Sequence, residues 1–131
     1  MTETRNLEQI LALPAGPELD ALVAERVPDV PMQRVTGLGV TAGTRVPLLY
    51  SSSISAAFMV LDALEARGWR AHIHREVDAA VDWPRGSTQL GWRVRLEDEH
   101  DYVSAWAPGG REALPLAICR AALLAMESEH A

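Results

Sequence analysis

The chain has 131 residues, 48% hydrophobic and 23% charged, which is enough for one domain with its own core. Its 12 cations, all arginine, face 18 carboxylates, and the net charge of −6 argues against a protein that wraps a phosphate backbone with clustered cations. No run approaches a membrane span, the N-terminus lacks the apolar core of a secretory signal, and a single cysteine excludes an internal disulfide or a cysteine-cluster metal site. A cytoplasmic location is the expectation.

The first segment, NLEQILAL, reads as a short helix with Leu7, Ile10 and Leu11 on one face, ending before Pro14. GPELDALVAERV reads as a second helix, with Pro17 in the first turn, acids at its start, and Leu19, Leu22, Val23 and Val27 on one face. Residues 28–47 carry three prolines and three glycines with weak alternation, which predicts an irregular connection holding at most one edge strand.

Ser51, Ser52 and Ser53 precede a helix expected from Ile54 to Arg67. Ile54, Ala57, Phe58, Leu61 and Leu64 recur at helical spacing, and Gly68 supplies a left-handed terminal cap. A serine run before a helix suits either capping or phosphate binding. No cation lies between Pro47 and Asp62 and no glycine lets the backbone close around an anion, so capping is the expectation.

WRAHIHREV alternates with period two: Trp69, Ala71 and Ile73 on one side, Arg70, His72, His74 and Glu76 on the other. After a loop over 78–89, LGWRVRLED sets Leu90, Trp92, Val94 and Leu96 against Arg93, Arg95 and Glu97. The acidic turn DEHD then joins it to DYVSAWA as an antiparallel hairpin. A Gly-Gly break leads to the last helix, ALPLAICRAALLAMESEH, with Pro115 in its first turn and Cys119 as a buried small hydrophobe.

The order from residue 47 is helix, strand, strand, strand, helix, preceded by an N-terminal helical segment and connection over 1–46, all in one domain spanning 1–131. Two helices cover one face of a three-stranded sheet, so the N-terminal helices are expected on the other. The fold class predicted is α/β, a three-layer α/β/α sandwich around a small antiparallel sheet.

Three stretches carry a resemblance: ELDALVAERV (18–27), YSSSISAAF with the helix ending in GW (50–69), and PLAICRAALLAM (115–126), with a tryptophan-bearing hairpin between the last two. In that order they resemble the phage ABA sandwich domain, small phage and prophage proteins. The resemblance spans about residues 16–128. It implies the α/β/α sandwich and a phage origin, and it carries no activity or catalytic residue across. Residues 28–47 and 78–89 look longer than that pattern. The helix–three strands–helix order is shared with double-stranded-RNA-binding domains, but the start of the last helix, GGREALP, has none of their clustered lysines.

No catalytic constellation is visible. His72 and His74 have a usable metal-ligand spacing but need a third ligand from Glu76, His100 or a loop acid, and the spacing is common on polar strand faces. No serine sits in a nucleophile elbow. The turn acids Glu97, Asp98, Glu99 and Asp101 lack the order of a calcium loop and read as a solvated tip.

The feature that invites a ligand is the sheet face with Arg70, His72, His74, Arg93 and Arg95, joined by Tyr102 and Trp106 if Val103 and Ala105 point inward. Arginines beside aromatic rings suit a planar anion. The competing expectation is that the N-terminal helices cover that face, with Glu18, Asp20 and Glu25 meeting the arginines.

Two functions follow as expectations. One is a non-enzymatic accessory protein that binds a host or phage protein, such as a defence factor, through an exposed apolar patch on Val30–Val46 or around Trp83. The other is a module sequestering a nucleotide-like small molecule on the arginine–aromatic face. No cofactor, nucleic acid or membrane is expected as a partner, and a homodimer through a partly open sheet edge or through the arginine-rich face is compatible with both.

Overall fold

The structure, a computed structural model, describes residues 7–37, 40–77 and 90–130. Two helices, α1 (Leu7–Ala12) and α2 (Pro17–Arg26), are followed by strands β1 (Met32–Gly37) and β2 (Val40–Pro47). Then come α3 (Ile54–Glu65), β3 (Arg70–Val77), β4 (Leu90–Glu97), β5 (Tyr102–Pro108) and α4 (Leu114–His130). The chain is thus mixed α/β, with helices and two small antiparallel sheets, β1–β2 and β3–β4–β5.

The helix, three strands and helix expected after the serines are all present. The region 28–47 is not as expected. Instead of an irregular connection it forms a two-stranded ribbon, paired from Met32↔Pro47 to Gly37↔Val40 with an irregularity between Val35 and Gly37. Its prolines lie where a ribbon tolerates them: Pro28 and Pro31 precede β1, and Pro47 is the last residue of β2.

Helix α3 begins at Ile54 as its sequence predicts and ends at Glu65, just short of the expected Arg67. Ser53 is the N-cap, its hydroxyl accepting from the Ala56 amide at 3.4 Å, and Gly68 closes the far end at φ 98°. The Trp69 amide bonds the Leu64 carbonyl at 3.1 Å, so the chain turns directly from α3 into β3. The buried arc of α3 is Ala56, Ala57, Val60, Leu61 and Leu64. It lies one step round from the expected stripe. Ile54 and Phe58 fall beyond its edge and are 38% and 42% exposed.

Helix α4 is buried nearly all round: Ala117, Ile118, Cys119, Ala121, Ala122, Leu123, Ala125 and Met126 are all inside. A helix apolar on more than one side must be packed on more than one side. α4 rests against β4 and β5 and also against α1, α2 and α3. This corrects the expected layer order, because the N-terminal helices lie on α4 and not on the second face of the sheet. Cys119 is buried among apolar groups, which pushes its thiol pKa up, as expected of an inert core cysteine.

A polar latch fixes α2 to the start of α3. Asp20 and Ser51 are buried, 3% and 0% exposed. The Asp20 carboxylate accepts from the Ser51 amide at 2.8 Å and from its hydroxyl at 2.7 Å, and the Ser51 oxygen accepts the Gly16 amide at 2.9 Å. Tyr50, also buried, donates its hydroxyl to the Pro31 carbonyl. Ser51 therefore does not cap α3, and its donors are not free for a bound phosphate, since the Asp20 carboxylate already takes them.

Asp20→Ala strands the buried Ser51 donors, and the expected loss is about 3 kcal/mol. Ser53→Ala removes one exposed-end cap and is expected to cost about 1 kcal/mol. Urea unfolding of both variants, with equal losses, would contradict this division of labour between the two serines.

Candidate functional site

Strands β3, β4 and β5 pair in full register, and the alternation of each strand sorts their side chains to two faces. Val94, Leu96, Ala105 and Ala107 are buried toward α4, so Val103 and Ala105 do point inward. The outer face is then built from cross-strand rows: Arg70–Glu97–Tyr102, His72–Arg95–Ser104, His74–Arg93–Trp106, and Glu76–Gly91–Pro108. All seven expected residues, Arg70, His72, His74, Arg93, Arg95, Tyr102 and Trp106, lie on this one face. It is not covered by α1 or α2; the Arg70 side chain is 75% exposed and Tyr102 59%.

What those residues touch differs from the expectation. The acids that meet the arginines come from the sheet itself, not from α2. Arg93 donates from Nε to Glu76 Oε2 at 2.8 Å and from Nη1 to the Ser104 hydroxyl at 3.3 Å. Glu97 sits among three partners: His72 Nε2 at 2.8 Å, Arg95 Nη2 at 3.8 Å and Arg70 Nη2 at 4.0 Å. The hydrogen bond from His72, helped by the charges of Arg70 and Arg95, holds the Glu97 carboxyl below the ordinary carboxylate range. Asp20, one of the acids expected here, is committed to Ser51 instead.

The aromatics are seated by specific contacts. The Arg95 guanidinium lies 4.4 Å from the Tyr102 ring centroid, a cation–π stack on an exposed face. Trp106 lies over Gly91, and its indole N–H reaches across β4 to the Glu76 carbonyl at 3.4 Å. A Cβ on Gly91 would stand 2.7 Å from that ring, so the glycine is what lets the indole lie flat. Between His72, His74, Arg95 and Glu97 is an open hollow of about 230 Å³.

This arrangement offers an anion less than the sequence promised. Of the three arginines, Arg93 is held by Glu76 and Ser104, and Glu97 lies in the hollow where an anion would sit. Among the described residues no three His, Cys, Asp or Glu side chains gather as a metal ion requires. The acidic tip behaves as a structured turn: Asp98 accepts the His100 and Asp101 amides at 2.9 and 2.7 Å, and Asp101 accepts the Ser128 hydroxyl at 2.6 Å, tying the hairpin to α4. That hydrogen bond, with one from the Tyr102 amide, lowers the Asp101 pKa.

Glu76, Glu97 and Gly91 are the residues that sequence reasoning left out of the site. Alternation had placed the two glutamates on the correct face; the register that sets them against the arginines needs the structure.

A carboxyl with a depressed folded-state pKa contributes stability above its unfolded value and loses it as pH falls through the folded one. Glu97 and Asp101 therefore add stability at neutral pH that disappears on acidification below the ordinary carboxylate range. In His72→Ala the Glu97 carboxyl is expected to titrate at higher pH, followed by carboxyl carbon NMR; an unchanged Glu97 midpoint would show that His72 is not its principal partner. Gly91→Ala is expected to displace Trp106 and shift its fluorescence, with a destabilisation of about 1–3 kcal/mol from overpacking.

Comparison of the chain with models of protein families, with curated proteins and with solved structures finds no match in any of the three.

Proposed function

We propose that this protein works without catalysis, by binding another protein through the exposed apolar strip at the start of α3. The observation that carries this reading is the strip itself. Ile54, Phe58 and Met59 are 38%, 42% and 40% exposed, and Leu49, in the turn just before the helix, is 62% exposed. Ile54 and Phe58 are neighbours at i,i+4 and Asp62 continues the same line one turn on, while Met59 lies about 100° round the helix from Phe58, at the far edge of the exposed arc. Large apolar side chains grouped on one helix face mark a contact surface far more often than scattered ones do. Of the patch expected on Val30–Val46, Val30 is buried and Met32 is 36% exposed, while Trp83 and the side chains of 34–45 lie outside the described residues.

The surface suits a partner with an apolar cleft to receive Phe58 and cations at its rim to meet Asp62 and Glu65. If the resemblance to phage ABA sandwich proteins holds, that partner is a host or phage protein, and the chain is an accessory or counter-defence factor. No helix among the described residues is long and apolar enough to cross a membrane.

The second reading, a module for a nucleotide-like anion, is favoured by one observation, the Arg95–Tyr102 stack beside the open hollow. The carboxylate of Glu97 in that hollow weighs against it.

One experiment separates the two. Phe58→Glu changes an exposed position, so stability is expected to stay within about 0.5 kcal/mol. Capture of a specific partner from host lysate is expected to fall at least tenfold, as for loss of an aromatic anchor worth more than about 1.4 kcal/mol. Arg95→Ala should leave capture intact. A thermal shift with nucleotides that Arg95→Ala abolishes, with capture indifferent to Phe58→Glu, would replace the first reading by the second.

A further inference from the structure

The three-stranded sheet has two edges, and the protein treats them differently. The Gly109 amide bonds the Leu90 carbonyl at 3.0 Å, which turns the backbone groups of Leu90 toward β5. Antiparallel pairing alternates, so Trp92, Val94 and Leu96 also face β5, while Gly91, Arg93, Arg95 and Glu97 face β3. Their partners on β3 are Glu76, His74, His72 and Arg70. The amides and carbonyls of Ala71, Ile73 and Arg75 then point out of the sheet.

On the β5 edge the outward Trp106 carbonyl is covered: Arg120 of α4 donates to it at 3.3 Å, and to the Leu13 carbonyl at 3.2 Å. On the β3 edge no hydrogen bond from the backbone of Ala71, Ile73 or Arg75 to a described residue is seen. An open hollow of about 510 Å³, lined by Glu65, Gly68, Trp69, Arg70, Ala71 and His72, runs beside the first half of that strand. A bare row of amides and carbonyls next to free space is a template for another strand.

The sequence of β3 says which strand fits. Reversed about its central isoleucine, Arg-Ala-His-Ile-His-Arg-Glu sets its end residues Arg70 and Glu76 as opposite charges, while His72 falls against His74 and Arg75 against Ala71. An antiparallel partner must keep outward groups opposite outward groups, so only registers centred on a residue are allowed. Centring on Ile73 sets Ala71 against Arg75 and Ile73 against Ile73 as hydrogen-bonded pairs. It sets Arg70 against Glu76, twice by symmetry, in the non-bonded positions where side chains come closest. Centring on His72 sets Arg70 against His74 and loses the ion pairs; centring on His74 carries Arg70 past Glu76.

We propose that the β3 edge is the interface of a homodimer, in which β3 of two copies pair antiparallel about a dyad at Ile73 and join the two sheets into one of six strands. The outward face of the joined sheet carries the four symmetric Arg70 and Glu76 side chains at the seam. The isologous geometry closes on itself, as a two-fold interface must.

The test uses the full chain at pH 8 by light scattering behind size exclusion. The expected mass is twice the 14.3 kDa of the chain. Ala71→Pro removes an amide that faces out of the sheet, so the internal ladder survives; circular dichroism is expected to be unchanged and the dimer to dissociate at least tenfold more readily. Register is read by cross-linking. In the Ile73→Cys variant the two symmetric α-carbons stand about 5.5 Å apart, within disulfide reach, and oxidation yields a covalent dimer. The Ala71→Cys variant, whose thiols are offset by four residues across the dyad, does not cross-link. A chain that remains monomeric at several hundred micromolar overturns the proposal. So does a dimer that ignores Ala71→Pro and whose Ala71→Cys variant cross-links as readily as Ile73→Cys, for its copies then meet elsewhere or in another register.

Discussion

Helix α4 is the constraint on which the remaining structure depends. Its sequence between Leu114 and Met126 holds no acid and one cation, Arg120, and it is apolar on every side that matters. Alanines at 117, 121, 122 and 125 keep it thin enough for neighbours to approach from several directions. The sheet takes one side and the three other helices take the rest. Arg120 escapes this crowd by lending its guanidinium to two backbone carbonyls, at Trp106 and Leu13, which fasten β5 and the end of α1 to the same helix. Burial holds its pKa below the ordinary arginine value, the cost of keeping a cation where only dipoles answer it. At the far end of α4, Glu129 binds Arg67 and accepts the Trp69 indole N–H at 2.7 Å, so the turn from α3 into β3 is fixed there too.

Because the helices gather on α4, the outer face of the sheet is left to solvent, and its chemistry has to be self-sufficient. The row Arg70–Glu97 and the diagonal pair Glu76–Arg93 set opposite charges side by side, so the face is stable uncovered. Exposed ion pairs contribute little to stability, typically under about 1 kcal/mol each, so these pairs shape the surface more than they hold it up. A surface whose cations are already answered is a poor anion trap. That is the physical reason to look to α3 for the working contact.

Much of this was legible from residue order alone. The Ser53 cap, the Gly68 stop, the inward and outward faces of β3 and β4, and the entry of Pro115 into α4 are local, and each depends on a few neighbouring residues. The coming together of seven residues on one face followed from period-two alternation. Three things were not legible. The β1–β2 ribbon was hidden because its prolines and glycines sit at strand ends and turns, where they weaken the pattern without breaking the pairing. The rotation of α3 was hidden because alanines occupy its buried arc, at 56 and 57, while the larger Ile54 and Phe58 are left outside; hydrophobic size pointed the wrong way. The layer order was hidden because a helix buried on two sides and one buried on one side can share the same apolar count, and only packing decides which neighbour takes the second side.

The two surfaces argued for here use different residues. The Trp69 amide bond to Leu64 puts the C-terminal end of α3 at the start of β3, beside the bare edge. Ile54 opens the same helix, about 16 Å away at 1.5 Å per residue. A dimer formed through β3 would use the outward backbone groups of Ala71, Ile73 and Arg75, none of which belongs to the strip of Leu49, Ile54, Phe58 and Met59. Two apolar strips on one particle turn a weak contact into a strong one when the partner is itself repeated or symmetric, because the second contact forms at the high effective concentration set by the first. Within a single chain the strip is small, a few side chains at one end of a helix, and a contact of that size alone belongs with weak, transient interfaces. Pairing at β3 would give a small module the reach that its own surface does not supply.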